Sequence, residues 1–233
     1  MVDIATPDFL SHLKSLYPEG PSYIRNPWYA VSAIAFSASN QPEAVPLVLR
    51  YALNDLDSLL SPQEDRLYLA RKIRDMVFKS GMISGFPKVI NALGALHSAT
   101  PEDLRDAQPL RDTSLSTEDI TRAGQEFFDQ TYGETASTVQ PFLRAIYPDL
   151  EFYVTSFAYG FGYAFMDVTS PMETSFAMIA ALIATDTPRQ IEWHLGGALR
   201  NGASVAEVKA VRQISIEIAQ ASGIVWKGDI PDL

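Results

Sequence analysis

The chain has 233 residues, no cysteine, 47% hydrophobic residues and a formal charge of −10. Such a length and composition describe one or two packed domains rather than a disordered tail. The acidic balance argues against nucleic acid or an anionic membrane as partner. The missing cysteine removes disulfides, thiolate metal sites and thiol redox chemistry.

In chain order, the opening stretch MVDIATPDFLSHLKSLYPEG lacks a basic region leading into an apolar run, so no secretory signal is expected. A capping hydroxyl then precedes proline five times, at Thr6-Pro7, Ser61-Pro62, Thr100-Pro101, Ser170-Pro171 and Thr187-Pro188. Proline suits the first helical position, where its missing N–H would have had no partner. SPQE (61–64), SPME (170–173) and Ser204 with Glu207 read as capping boxes, and Ser116 with Asp119 is a weaker relative. Between these starts the apolar spacing is helical. Leu67, Leu69, Ala70, Ile73, Met76 and Val77 make one stripe, and Val208, Val211, Ile214, Ile216 and Ile218 another. Gly202 and Gly223 stand where helix C-caps belong. With no hairpin turn between alternating runs, the expectation is an all-α fold.

The polar, proline-bearing stretch 99–119 is the best linker, dividing an N-terminal half (1–110) from a C-terminal half (111–233). PKVINALGALHSATPEDL (87–104) echoes PRQIEWHLGGALRNGASVAEV (188–208), which suggests an internal duplication with a degenerate first copy. The most apolar stretch, FYVTSFAYGFGYAFM (152–166), is too short to span a bilayer, and the C-terminal GDIPDL resembles no peroxisomal signal. The default expectation is a cytoplasmic protein.

Candidate chemistry gathers in two places. On a helix over 188–201, His194 lies on or beside the inward face, flanked by Trp193 and Glu192, and Gly196-Gly197 suggests close approach of another helix or a ligand. An imidazole there is either a satisfied core histidine or a general acid/base titrating near neutral pH. In the aromatic run 147–167, Phe152, Tyr159 and Tyr163 fall on one α-helical strip and Phe157 with Phe161 on another. They form either core or the wall of a pocket to which Tyr159 or Tyr163 supplies a hydroxyl. His12, His97 and His194 are solitary, so no metal site is expected, and no phosphate-binding glycine loop is present.

Taken in order, GQEFFDQTYGE (124–134), PFLRAIYPDLEFYVTSFAYGFGYAF (141–165) and the segment 173–224, with HLGGALRNG at its centre, resemble the carboxymuconolactone decarboxylase family. That resemblance covers roughly residues 118 to 224 and implies an alkylhydroperoxidase D-like helical bundle. It also implies a cofactor-free protein that forms homo-oligomers (dimer, trimer or hexamer). Peroxidase members carry a Cys-x-x-Cys pair where this chain has Thr187 and Gln190, and a glutamate where it has Ser175, so thiol peroxidase activity is excluded. The arginines that decarboxylases place after the aromatic run are absent from MDVTSPMETS (166–175).

The resemblance therefore implies a cofactor-independent, decarboxylase-like lyase acting on a small carbonyl or lactone compound. His194 would be the general acid/base, tuned by Glu192, and Tyr159 would stabilise an enolate-like oxygen. Trp193, Phe161 and Tyr163 would bind the substrate. An isomerase or cyclase of the same family is one alternative. A non-catalytic oligomeric scaffold or small-molecule-binding protein is the reading from another class.

Overall fold

The computed structural model describes residues 4–20 and 23–233, so the first three residues of the N-terminal stretch read above lie outside it. The described residues are all-α, with no strand. In chain order the helices are α1 (Pro7–Leu16), α2 (Trp28–Ala38), α3 (Val45–Ser58), α4 (Gln63–Ser84), α5 (Phe86–Ala99) and α6 (Thr117–Tyr132). They continue as α7 (Ala136–Ile146), α8 (Pro148–Tyr153), a π-helix (Val154–Tyr163), α9 (Pro171–Ala184), α10 (Pro188–Arg200) and α11 (Val205–Ala221).

The start signals work where the hydroxyl is free to turn onto the helix. Thr6 accepts from Phe9 N–H, and Ser116 from Asp119 N–H. Ser170 and Ser204 close complete capping boxes with Glu173 and Glu207. Three expected starts differ. At Thr187 α10 begins where expected, but the hydroxyl donates backward to Leu182 O instead of capping it. At 61–64 no box forms, because α4 begins one residue late with Pro62 as its cap. Past Pro101 only a single 3-10 turn, Glu102–Leu104, follows, and the Thr100 hydroxyl donates backward to Leu96 O. The first half therefore lacks a counterpart of α11. Gly202 and Gly223 do end helices, at φ +98° and +83°.

Helices α2 and α9 are buried on almost every side, as expected of segments apolar all round. α4 and α11 flank them, so elements from both sides of the 99–119 stretch share one hydrophobic core. α6 lies against the π-helix with backbones touching. A Cβ on Gly124 would fall 1.9 Å from Thr155 O, and one on Gly160 would fall 2.1 Å from Ile120 O. Only glycine permits that approach.

Candidate functional site

His194 sits on the buried side of α10, 5% exposed. The close helix approach expected at its glycines is real at Gly197, whose missing Cβ leaves room for Thr131 on α6 at 3.0 Å. The imidazole packs edge-on to Tyr132 (5.6 Å between ring centres), and Tyr132 in turn meets Trp193 and Tyr159 at 6.0 and 6.2 Å. Tyr159 is wrapped by Phe127, Phe128 and Tyr163. The sequence-predicted residues His194, Trp193, Tyr159 and Tyr163 thus join one aromatic cluster, with Tyr132 as its hub.

Glu192 and Phe161 do not join it. Glu192 is exposed on another side of α10. Phe161 lines a different cleft, in keeping with its separate strip, and the run 154–163 is a π-helix rather than an α-helix. The amide of Ala164 donates to Tyr159 O, five residues back, so side chains fall out of the expected phase. Phe152, assigned to the strip of Tyr159 and Tyr163, is correspondingly left half-exposed.

Burial, with a contribution from the Arg200 guanidinium, pushes the His194 imidazole down to about 4. It is neutral near pH 7, and its Nδ1 has no hydrogen-bond partner among the described residues. Desolvation likewise drives the Tyr159 hydroxyl well above the usual phenol range. None of the described clefts is lined by His194 or Tyr159; Trp193 alone of the cluster reaches one, a shallow hollow of roughly 230 Å³ with Val139, Phe142 and Arg189.

A second constellation is built on α4, which also touches the π-helix. Lys72, Asp75 and Lys79 recur at helical spacing and all point inward. The Lys72 ammonium donates to Glu173 Oε1 at 2.5 Å, while the other oxygen of Glu173 serves the capping box of α9. The Lys79 ammonium donates to Thr169 Oγ1 (2.5 Å), Thr174 Oγ1 (2.9 Å) and Phe165 O (2.8 Å), with Asp75 Oδ2 at 3.3 Å. Burial lowers this amine to about 8, against the pull of Asp75.

In front of it, Arg111 Nη2 approaches Asp75 Oδ1 at 2.6 Å, and Nε and Nη2 donate to Phe161 O and Gly162 O. The guanidinium also lies 4.5 Å and 4.4 Å from the ring centres of Phe78 and Phe165. Arg71 and Arg74 share Asp106, at 2.6 and 2.7 Å.

These groups line a cleft of roughly 340 Å³ with Leu93, Leu110 and the exposed His97 at its rim. Three guanidiniums face two carboxylates there, so the lining carries excess positive charge in a chain of net −10. Of Arg74 only Nη2 is hydrogen-bonded among the described residues, so its other N–H groups can receive an acceptor. No group of three or more His, Asp or Glu side chains among the described residues is placed to hold a metal ion.

Sequence reasoning missed this cleft. Its signal, Lys72-Asp75-Lys79 on one face with Arg71 and Arg74 beside it, hid behind an apolar stripe on the same helix. That stripe is buried too, from Leu69 to Val77, because α4 is covered on both faces. Arg111 came from the polar stretch read as a linker.

No known family profile matches the chain. Two curated proteins are similar to it along nearly their whole length. Peroxisomal protein 2 of Schizosaccharomyces pombe is 32% identical over 206 residues, covering 88% of this chain and 91% of that protein. Peroxisomal protein 2 of Saccharomyces cerevisiae is 28% identical over an alignment of 278 positions, covering 96% of this chain and 97% of that protein.

These relatives correct two expectations, the decarboxylase-like lyase and the cytoplasmic location. Both proteins are named for the peroxisome, and neither name carries a lyase activity. Composition reports how a chain meets solvent, whereas a peroxisomal address is a signal read by a receptor, so composition could not separate the compartments. At 32% identity across almost all of both proteins, the chain belongs to the peroxisomal protein 2 family.

Proposed function

We propose that this is a peroxisomal protein that binds a small organic anion in the Arg71–Arg74–Arg111 cleft. The location rests on the names of its relatives. The binding reading rests on one observation: three guanidiniums converge on two carboxylates, leaving N–H donors of Arg74 without partners among the described residues at a partly open concave surface. Planar guanidinium donors suit a carboxylate or phosphate better than a neutral ligand. The aromatic cluster around His194 is less suited to an anion, since its imidazole is buried and neutral.

The test has two arms. An amino-terminal fluorescent fusion, imaged in yeast beside a peroxisomal marker, should give matching punctate signals; a diffuse signal overturns the location. Purified protein titrated with acetate, phosphate and the matched alcohol should respond to an anion and not to the alcohol. Arg74→Gln should reduce the response, and indifference to Arg74 overturns the binding reading.

Self-association is a second part of the reading. Phe142, Ile146, Tyr147, Phe152 and Tyr153 of the α7–α8 hairpin, with Phe157 beyond it, expose a large apolar area on one stretch of chain. We further read the bundle as alkylhydroperoxidase D-like and internally duplicated, with the hairpins α4–α5 and α9–α10 as counterparts. Supporting this, each enters its second helix through proline and carries Gly-Ala-Leu within it.

A further inference from the structure

The arginine cleft does not end at Arg111. Beyond that side chain a second cleft of roughly 350 Å³ opens, sharing Leu110 and Arg111 with the first. Its lining is of another kind: Leu115, Ile120, Ala123, Phe161, Phe165 and Met166 supply apolar surface, and the backbone of Gly160 forms part of the floor. Phe165, in this second lining, also covers the Arg111 guanidinium at the division. The only charged groups of this lobe besides Arg111 are the carboxylates of Asp112 and Asp167, both exposed.

A cationic lobe and an apolar lobe, joined at one arginine, specify a ligand with two unlike ends. From this juxtaposition we infer that the site takes an amphipathic monocarboxylate, resting on the anion-binding reading above. The carboxylate lies among Arg71, Arg74 and Arg111, and a medium-length hydrocarbon body lies along Leu110, Phe161 and Phe165. Each lobe is at the lower end of the size of small-molecule sites, which suits one short head and one unbranched tail rather than a ring system in each. Asp112 and Asp167 put exposed carboxylates in the lining of the apolar lobe. A second carboxylate at the tail's end meets like charge there, so the site rejects dicarboxylates of the same length.

The experiment is a calorimetric titration of the full chain with four probes: octanoate, acetate, 1-octanol and octanedioate. Octanoate should bind at least about tenfold tighter than each of the others. Arg74→Gln should weaken octanoate by about tenfold, and Ala123→Phe, which fills the apolar lobe without touching the arginines, should weaken octanoate while leaving acetate unchanged. Arg111 is left intact in these variants because it also ties the fold together.

The outcomes separate the two readings. Acetate binding as tightly as octanoate, with dependence on Arg74, overturns the amphipathic ligand and leaves anion binding standing. Octanol or octanedioate matching octanoate also overturns the inference. Absence of any Arg74-dependent binding of an anion overturns both.

Discussion

Arg111 Nη2 lies 2.6 Å from Asp75 Oδ1, an ion pair that fastens the irregular segment between α5 and α6 to the central helix α4. The carboxylate is only 3% exposed, and Lys79 approaches its other oxygen from the protein interior. Removing the arginine therefore leaves a buried carboxylate facing one amine whose own charge is already disfavoured by burial. Arg111→Met is expected to cost about 3 kcal/mol in urea unfolding. Asp75→Asn in the same background should return part of that loss, since the two groups act as one unit.

His194 makes a second prediction, on pH. Its folded-state value of about 4 lies below the ordinary 6.5, so between these limits the unfolded chain binds the proton that the folded chain refuses. Stability attributable to this group is complete above pH 6.5 and is lost as the pH falls toward 4, amounting to about 3 kcal/mol across the window. His194→Phe keeps the ring and removes the titration. Unfolding midpoints measured from pH 7 to pH 4 should fall less steeply in the variant. Parallel curves would show that the imidazole is hydrated in solution.

The α6–π-helix crossing predicts a contrast between alanine substitutions. Gly124→Ala puts a Cβ 1.9 Å from Thr155 O, a backbone atom that cannot step aside, and should lower stability by more than about 3 kcal/mol. Gly94→Ala, in the middle of α5 with nothing within 4 Å of the new carbon, should instead raise it by roughly 0.5–1 kcal/mol. Thermal denaturation of the two variants checks both signs.

The exposed apolar residues of α7 and α8 predict a concentration-dependent assembly. Phe142→Ser combined with Ile146→Ser should leave far-ultraviolet circular dichroism unchanged and shift the mass by light scattering toward one chain. These side chains are 46% and 56% exposed, so their replacement should change folding stability by no more than about 0.5 kcal/mol.

Local structure was legible because its causes are local. The hydroxyl-proline starts at Thr6 and Ser170, the boxes at Ser170 and Ser204 and the glycine stops at Gly202 and Gly223 each depend on residues a few positions apart. At Thr100 and Thr187 the hydroxyl turns back onto the preceding helix instead, and at Ser61 the helix starts one residue late. Most of the His194 cluster was legible too, because α-helical phase places Trp193 and His194 against the next layer whatever that layer is.

By itself, then, the amino-acid sequence determined the all-α class, the starts of α1, α6, α9, α10 and α11, the exclusion of thiol chemistry and the burial of His194. Tertiary structure alone decided that Phe152 parts from Tyr159 and Tyr163, since a π-helical turn follows from how α6 presses on the run at Gly124 and Gly160. It alone decided that Lys72, Asp75 and Lys79 face inward, because a charged stripe reads as solvated until a second layer, α9 with Thr174 and Glu173, supplies its partners. Arg111 is the extreme case. Its phase carries no information in an irregular segment, and only folding brings it between Phe78 and Phe165, against a carboxylate 36 positions earlier in the chain.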